Sequence, residues 1–432
     1  MLKALRSWDP LYGRISLSDF EFGLLNLSEV QRLRYVRMCN INSLLVTGAS
    51  EISRFEHTIG VMHLAKEWVR THAVSKEVGR DIVAAAVLHD MQTGPFGHSM
   101  QYVLEDNEID GAFEHEDLSH GWRSNYHQEV LAGASFAGRS FSAQAYLADR
   151  WEHVASIIRG EGPHGPLIAG TMDLDNIDNV VRLAFHVGVA DRNDCELPLI
   201  LAREISSEHG EICLPERAIP TVMRWQAIRR RLYELLLLDW AEFSAKAMLT
   251  RAIECAAAYQ LIGSDSWVRT DSEFLEYLDR TAIGEAQEVR DMVRRLRRGD
   301  LYEPIAMLTT PSVDLYAMLN GSEAKAKLET ELMSRAGVKG IRPLIHFILD
   351  KGKTDREVAF ISAPNGKRYV VGKSSRQLLA GLFVSSSSVS ESSKRSLATA
   401  FESVLADHGA VDFSHVPDPM AENCIEAQPL LI

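Results

Sequence analysis

Cysteine is scarce in this chain, and the few cysteines that occur are widely spaced. The 432 residues contain five, none of them in a closely spaced pair. They are Cys39, Cys195, Cys213, Cys255 and Cys424. This pattern argues against a disulfide framework and against a cysteine-based zinc site. It is typical of a protein in a reducing compartment, so we expect a cytoplasmic location.

Long apolar runs are missing as well. The first residues, MLKALRSWDPLYG, lack the apolar core of a signal peptide. No stretch has the length of uninterrupted apolar sequence that spans a bilayer. The sequence therefore predicts neither secretion nor insertion into a membrane.

Positive charge is in deficit, because 46 Lys and Arg residues stand against 59 Asp and Glu, a formal net charge of -13. Such a chain repels phosphate backbones on average, so binding to nucleic acid would need a local basic patch. Two arginine clusters are candidates, at residues 229–231 and 294–298. Runs of this kind on helices more often form solvated faces, and we expect no nucleic-acid partner.

Helical periodicity is what the chain has in abundance. From about residue 28 to 260, apolar residues recur at three- and four-residue spacing, which predicts successive helices. Residues 81–90, DIVAAAVLHD, are apolar almost all round and predict a buried helix that ends in a histidine and an aspartate. Residues 224–256 predict one long helix that packs in the core or against a second copy of the chain.

Loop signals follow directly on that His-Asp pair. Gly94-Pro95 and Gly97 break the helical pattern and predict a turn of the kind with which active-site loops often start. A second broken, acidic region lies at residues 104–121. We expect it to run over the surface as a lid or wall of the same site.

Beyond about residue 340 the pattern changes to short alternating apolar runs. EVAFISA (357–363) and KRYVVGK (367–373), separated by Pro364-Asn365-Gly366, predict a hairpin. LLAGLFV (378–384) predicts a further strand, and residues 392–409 predict a helix that ends at Gly409.

This length and pattern indicate two domains in a mainly α chain. At 432 residues the chain exceeds the usual size of a single domain. We expect a helical catalytic domain with a helical extension over residues 1–335. A small α+β domain with a polar tail is expected over residues 336–432.

Histidine and carboxylate side chains occur at three separated places near the ends of predicted helices: His57, the pair His89-Asp90, and Asp175. Two imidazoles and two carboxylates make a mixed nitrogen and oxygen site that suits first-row divalent metals. Such a site lowers the pKa of bound water and neutralises phosphoryl oxygens during attack. A bare His-Asp dipeptide is a weak signal, since an ordinary helix end looks the same.

Four ordered blocks carry a resemblance to a known family: ISRFEHTIGVMHLA (52–65), AAVLHDMQTGPFGHSM (85–100), FEHEDLSHG (113–121) and DLDNIDNVVRLAFHVGV (173–189). They resemble, in this order, the signature blocks of HD-domain phosphohydrolases. The resemblance is strongest to the deoxynucleoside triphosphate triphosphohydrolase branch. It covers roughly residues 28–260 and implies an HD-type helical bundle and a metal-dependent phosphohydrolase.

The resemblance also implies roles for single residues. It implies a divalent metal held by His57, His89, Asp90 and Asp175. These ligand types admit manganese, iron, nickel, magnesium or zinc. His98 and His115 match histidines near the phosphates, where a leaving oxygen is protonated or developing charge is stabilised. Arg54 matches an arginine that contacts phosphate, as a guanidinium can do with two hydrogen bonds.

Each of the last three residues has a structural alternative. His98 could cap a helix from its loop. His115 lies in the segment EHED, which could simply be an acidic surface loop. Arg54 could pair with Glu51 or Glu56 on a helix surface, a contact worth little.

The chain departs from the family pattern at several positions. Gln92-Thr93 stands where members often carry Gly-His, and Gln101 replaces an acidic residue. The family's substrate-contacting lysine, tyrosine and aspartate correspond to Asn176, Asn179 and Leu183. Asn176 and Asn179 lie three residues apart on one predicted helix face, where they could offer amide hydrogen bonds to a different substrate or simply be surface residues.

We therefore interpret the chain as a metal-dependent phosphohydrolase that acts on a nucleotide or related phosphoester through metal-activated water. The alternative is a catalytically weak, nucleotide-binding sensor or regulatory protein that keeps the metal. A phosphodiesterase or monophosphatase would differ from the first hypothesis only in the bond that is cut. A homo-oligomer is compatible with the long apolar helices.

Overall fold

The structure of the chain is a computed structural model that describes residues 5–39, 51–106, 135–136, 139–140, 143–208, 210–362, 366–385 and 389–417. These residues form fifteen α-helices: α1 (Asp19–Leu25), α2 (Ser28–Arg32), α3 (Arg54–His72), α4 (Lys76–Leu88), α5 (His98–Asp106), α6 (Ala143–Ile158), α7 (Leu174–His186), α8 (Leu197–Glu204), α9 (Ile219–Leu238), α10 (Trp240–Ala258), α11 (Asp271–Thr281), α12 (Gln287–Arg298), α13 (Leu315–Leu319), α14 (Ser322–Ala336) and α15 (Glu391–Asp407). Their strands are β1 (Leu5–Asp9), β2 (Gly13–Leu17), β3 (Ser135–Phe136), β4 (Arg139–Ser140), β5 (Ser206–Glu208), β6 (Glu211–Leu214), β7 (Glu303–Thr310), β8 (Pro343–Lys351), β9 (Val358–Ser362), β10 (Arg368–Val371), β11 (Arg376–Val384) and β12 (Ser414–His415).

Polar caps determine where α3, α4 and α7 begin. The hydroxyls of Ser53 and Ser75 accept hydrogen bonds from amides in the first turns of α3 and α4. The carboxylate of Asp173 does the same for α7. Serine and aspartate are preferred at this position because their side chains satisfy amides that have no partner inside the helix. The caps therefore decide which residues form the first turns of α3 and α7.

Helix α4 lies at the centre of the helical body. Residues 82–88 are all buried, as the apolar sequence predicts, and α4 packs against both α3 and α6. Helix α3 also contacts α7 and α8, and α9 packs on α7. Gly60 allows α3 and α7 to approach closely, because a Cβ there would lie 2.2 Å from side-chain atoms of Asp178 and Arg182. Any larger residue at position 60 would push the two helices apart.

The prediction of one long helix over residues 224–256 is wrong. Helix α9 ends at Leu238 and α10 begins at Trp240. Asp239 between them has extended backbone, and its carboxylate accepts a hydrogen bond from the Glu242 amide. This aspartate caps α10 and interrupts the helical hydrogen bonds. The break directs α10 against α5, α12 and strands β7 and β8.

One of the two four-stranded sheets has the strand order β12-β7-β11-β8. Alternate side chains of β11 enter two different cores. Leu378, Ala380 and Leu382 belong to the core shared with α14 and α15, whereas Leu379 and Phe383 belong to the core shared with α10. The strand is buried on both faces, which explains why LLAGLFV is apolar throughout.

The predicted hairpin is confirmed, since β9 and β10 pair antiparallel. The prediction of a helix over residues 392–409 is confirmed by α15. Strand β9 does not join β11 but pairs in parallel with β6 of the helical body, through Cys213 and Ile361. Strands that follow residue 336 thus pair with β6 and β7, which precede it. The division of the chain at residues 335 and 336 stays a prediction.

Two further expectations concern the surface. The described helices include none that could span a bilayer by its length and hydropathy. The arginines near residue 295 form ion pairs, Arg294 with Asp279 at 2.7 Å and Arg295 with Asp300 at 3.0 Å, as expected of a solvated face. Arg229 is instead buried, so it belongs to no surface patch.

Candidate active site

The four predicted metal ligands come from the ends of three helices. His57 lies in the first turn of α3, and Asp175 lies in the first turn of α7. His89 is the C-cap residue of α4, and Asp90 follows it. His57, His89 and Asp90 are buried, and Asp175 is half-buried. The fold therefore gathers side chains that are up to 118 residues apart in the sequence.

Nitrogen and oxygen atoms of these side chains converge on one point. The ligand atoms of His57, His89 and Asp90 all lie within 4.8 Å of one another. His89 Nε2 is 3.5 Å from Asp90 Oδ2 and 3.7 Å from Asp175 Oδ1, and His57 Nε2 is 4.0 Å from Asp90 Oδ2. Donors about 2.1 Å from a common ion lie about 3 to 4 Å apart. His57 Nε2 and Asp175 Oδ1 are closer, at 2.7 Å, and share a hydrogen bond.

The orientation of both imidazoles is fixed through their Nδ1 atoms. His57 Nδ1 lies 2.7 Å from Asp178 Oδ2, and His89 Nδ1 lies 2.9 Å from the Ala86 carbonyl oxygen. Because these partners accept hydrogen bonds, they favour the tautomer that carries its proton on Nδ1. The Nε2 lone pair of His89 then faces the carboxylates, as in histidines that ligate metals. His57 Nε2 donates a hydrogen bond to Asp175, so its lone pair becomes available to a metal only when that proton leaves.

Asp90 uses its two oxygens differently. Oδ1 accepts hydrogen bonds from Arg54 Nη1 at 2.7 Å and from Thr93 Oγ1 at 2.9 Å. Oδ2 points to the imidazoles and has no hydrogen-bond partner among the described residues. Arg54 therefore pairs with Asp90, whereas Glu56 of the structural alternative pairs with Arg182 and His186. Its predicted contact with phosphate stays a prediction.

The loop after Asp90 confirms the turn predicted from its glycines. Phe96 and Gly97 both have positive φ, at 56° and 62°. A Cβ on Gly97 would lie 2.7 Å from Arg54 Nη2, so glycine is needed both for the backbone conformation and for the approach to Arg54. The Asp271 carboxylate accepts a hydrogen bond from the Phe96 amide at 2.7 Å. Trp267 donates its indole N–H to the Gln92 carbonyl oxygen, which anchors the loop a second time.

An ion-pair network behind His57 was missed from the sequence. Asp178 accepts hydrogen bonds from Arg182 Nε and Nη2, at 2.8 and 3.0 Å, and from the Tyr12 hydroxyl at 2.6 Å. Arg182 also lies 2.7 Å from Glu56. The only signal in the sequence was the position of Asp178, one helical turn after Asp175. This network holds the carboxylate that orients His57.

Electrostatics keep the carboxylates of the cluster ionised. Burial raises the pKa of Asp178, but nearby cations outweigh it and hold that pKa at about 2. Burial also opposes ionisation of Asp90, yet Arg54 and the two imidazoles lower its pKa below the usual range. Burial lowers the pKa of His57, whereas hydrogen bonds to Asp175 and Asp178 raise it to about 9. Metal binding at neutral pH would therefore release a proton from His57.

These residues fit a divalent metal. His89 Nε2 and Asp90 Oδ2 are buried atoms with no hydrogen-bond partner among the described residues. Burying such atoms without a partner is costly, and a cation placed between them would satisfy both. The donor set of imidazole nitrogens and carboxylate oxygens suits manganese, iron, nickel or zinc, and magnesium through its carboxylates. His57, His89, Asp90 and Asp175 could hold it.

The orientation of His57 by Asp178 leads to a first prediction. We expect Asp178→Asn to weaken Mn²⁺ binding by about 10- to 100-fold, because it removes the charge that holds the imidazole in place. Titration calorimetry on the purified protein measures this affinity. Asp149→Asn, at an exposed position on α6, is the matched control and should bind Mn²⁺ as the wild type does. Equal affinity of the two variants would contradict the orienting role.

A cavity of about 310 Å³ opens in front of the cluster, a volume in the range of small-molecule sites. Arg54, His89, Asp90 and Asp175 line one part of it, and the predicted substrate-binding residues Asn176 and Asn179 line another. Asn176 donates its amide to the Asp173 carboxylate, whereas Asn179 Oδ1 is buried with no partner among the described residues. Both asparagines thus line the cavity, and their contact with substrate stays a prediction.

The two predicted catalytic histidines are seen less completely. His98 is the first residue of α5, directly after Gly97, and its side chain lies outside the described residues. His115 and the acidic region around it also lie outside them. Their roles in proton transfer remain predictions.

Sequence reasoning missed a group of cations that line the cavity. They are Arg229, Lys246, Lys353 and Arg356. Arg229 was grouped with its neighbours as a surface run, and Lys353 and Arg356 lie in the C-terminal part of the chain, which the resemblance does not cover. No local pattern in the sequence places these residues near His89.

Comparison with known proteins agrees with this geometry. Residues 54–181 match the family described as HD domain. Residues 54–181 are an HD domain. It runs from α3 to α7 and contains all four predicted metal ligands. The expected fold, a mainly α HD-type helical bundle with a smaller sheet-containing C-terminal region, is confirmed.

Relatives that match more than half of the chain share only 22% to 25% of its residues over the matched region. The deoxynucleoside triphosphate triphosphohydrolase SAMHD1 homolog of Dictyostelium discoideum is 22% identical over 318 residues, 68% of this chain and 59% of the relative. The uncharacterized protein YwfO of Bacillus subtilis is 25% identical over 256 residues, 57% of this chain and 55% of the relative. Deoxynucleoside triphosphate triphosphohydrolase SAMHD1 of Gallus gallus is 22% identical over 447 residues, 87% of this chain and 70% of the relative. The chain spans between half and three fifths of the length of the first two relatives.

Proposed function

We propose that the protein is a metal-dependent phosphohydrolase that acts on a nucleotide or a related phosphoester. The observation that carries this proposal is the convergence of His57, His89, Asp90 and Asp175 at the edge of a cavity lined with cations. Mixed nitrogen and oxygen ligands beside a positively charged pocket suit a phosphate ester better than a neutral substrate. Relatives named as deoxynucleoside triphosphate triphosphohydrolases support a nucleotide.

A divalent metal held by the four ligands would supply activated water and would neutralise charge on the phosphoryl oxygens. The protein's own groups keep the ligands in position: Asp178 orients His57, the Ala86 carbonyl oxygen orients His89, and Arg54 holds Asp90. Preorganisation of this kind lowers the cost of reaching the transition state. His98 and His115 are proposed to donate a proton to the leaving oxygen or to stabilise its charge, and Asn176 and Asn179 to contact the substrate.

The test is a phosphate-release screen with added Mn²⁺, followed by chromatography of the products. Its substrates are nucleoside mono-, di- and triphosphates and cyclic nucleotides. We expect wild type to hydrolyse at least one of them and the double variant His89→Ala with Asp90→Ala to hydrolyse none, because two ligands are lost. The double variant Asp149→Ala with His153→Ala removes the same residue types from exposed positions on α6 and should keep full activity.

Two outcomes would contradict the proposal. Hydrolysis that survives the loss of His89 and Asp90 would place the chemistry elsewhere. Absence of hydrolysis, together with Mn²⁺ bound and nucleotide-induced thermal stabilisation of the wild type, would favour the sensor alternative, since binding raises stability whether or not turnover occurs.

A further inference from the structure

One cation of the cavity lining, Arg229, is buried and forms no ion pair with a carboxylate among the described residues. The side chain of Arg229 is about 1% exposed, and its Nε and Nη1 atoms have no hydrogen-bond partner among the described residues. Its guanidinium lies 4.5 Å from the ring centre of Tyr233 and 5.7 Å from that of Trp225. Burial lowers the pKa of this arginine and repulsion by Arg356 adds to that effect, whereas Tyr233 and Asp173 act in the opposite direction. Aromatic rings do not replace an anion for a buried guanidinium, whose N–H groups are fixed donors.

The same part of the cavity collects further cations. Lys246, Lys353 and Arg356 line it together with Arg229. Burial lowers the pKa of Lys353 to about 8, with repulsion by Lys246 and Arg229 adding to that effect and Asp350 opposing it. Glu242 is the carboxylate closest to this group in the described lining, 3.4 Å from Lys246. The other two lining carboxylates, Asp90 and Asp175, belong to the metal cluster. Outside the metal cluster, four cations and one carboxylate line the cavity, and Asp173 and Asp350 lie behind Arg229 and Lys353. In a chain of net charge -13, this local excess of positive charge suits a polyanionic ligand.

Arg356 is held in position from the HD domain. Its Nη1 donates to Asn176 Oδ1 at 3.0 Å and to the Thr171 carbonyl oxygen at 3.3 Å. The contact with Asn176 brings a guanidinium from a residue 180 positions later in the chain to a helix face that lines the cavity.

We propose that Arg229, Lys353 and Arg356 form an anion subsite that binds a phosphate group of the substrate other than the one attacked at the metal cluster. This proposal rests on the proposed function and narrows its substrate class to phosphoesters with at least two phosphate groups. It also makes the segment between β8 and β9 a part of the active site. Arginine is suited to such a subsite because its guanidinium binds phosphate through two hydrogen bonds.

The test measures binding, so that it does not depend on turnover. Titration calorimetry with chelator-treated protein compares inorganic tripolyphosphate with inorganic phosphate. We expect Arg356→Gln and Arg229→Gln each to lose affinity for tripolyphosphate by about tenfold or more, since each removes charge-assisted hydrogen bonds. The loss should be smaller for inorganic phosphate, which carries less charge and contacts fewer of the lining cations at once. Arg230→Gln is the matched control, because Arg230 is an exposed neighbour paired with Glu234 at 3.0 Å.

The outcomes separate the subsite from the enzymatic activity. If Arg229→Gln does not fold, Arg356→Gln still decides, because Arg356 is half-buried and its loss leaves no core cavity. Tripolyphosphate affinity that is unchanged in Arg356→Gln, or lowered equally in Arg230→Gln, would overturn the subsite. Tripolyphosphate binding that depends on Arg356 in a protein without hydrolytic activity would support the subsite and contradict the proposed function. With activity present, the Arg356→Gln variant should lose more kcat/KM for a nucleoside triphosphate than for a monophosphate.

Discussion

Hydrolysis by an Asp90→Asn variant is expected to fall by at least about 10³-fold relative to wild type. The Oδ2 atom of Asp90 points to both imidazoles and is otherwise without a partner among the described residues. An amide in its place loses the charge needed to hold a divalent cation. The electrostatic effect of such a cation on a phosphoryl transition state is worth several kcal/mol, and about 1.4 kcal/mol corresponds to a factor of ten in rate. Initial rates at saturating Mn²⁺ measure the change.

A second substitution at the same position distinguishes chemistry from folding. Asparagine removes the counter-charge of Arg54 but still offers Oδ1 to Arg54 and Thr93, so the Asp90→Asn variant should lose less stability than Asp90→Ala. Asp90→Ala removes that acceptor and leaves Arg54 buried without its partner, so it should be both inactive and less stable. Full activity of Asp90→Asn with Mn²⁺ bound would show that Asp90 is not a ligand. Asp149→Asn serves again as the exposed control.

The helix ends that carry the metal cluster were predictable because the signals are local. Apolar periodicity predicts α3, α4 and α7, and Gly94 and Gly97 predict the turn after Asp90. Ligand types at such ends can be recognised without knowing how the helices pack. The break at Asp239 was equally local and was still missed, because the apolar residues on both sides of it continue the helical spacing.

Long-range partners could not be predicted in the same way. The position of Asp178 one helical turn after Asp175 places it near the cluster but does not indicate that it contacts His57, 121 residues earlier. The pairing of Arg356 with Asn176, and the parallel pairing of β9 with β6, likewise depend on how distant segments pack. For Arg229 the sequence was misleading. A run of three arginines suggests a solvent-exposed surface, but the position of Arg229 on α9 turns its side chain into the core, whereas its two neighbours are exposed.

Replacing Arg182 with methionine is expected to lower the free energy of unfolding by about 3–5 kcal/mol, because it leaves buried carboxylates without their counterion. The Arg182 side chain is fully buried and lies within 3.0 Å of Asp178, Asp9 and Glu56. Methionine fills much of the same volume, so the loss reports on charge more than on packing. Urea denaturation in the presence of a chelator measures the change without any contribution from a bound metal.

Arg203→Met provides the control for this experiment. Arg203 also makes an ion pair, with Glu67 at 2.9 Å, but its side chain is 46% exposed. Solvent screens such a pair, so we expect Arg203→Met to change the free energy of unfolding by about 0–1 kcal/mol.

A second expectation follows from the link between Arg182 and His57 through Asp178. Mn²⁺ should stabilise the Arg182→Met variant less than wild type, because a poorly oriented His57 weakens metal binding. Equal stabilisation of both proteins by Mn²⁺ would show that the network supports the fold but does not orient the metal ligand.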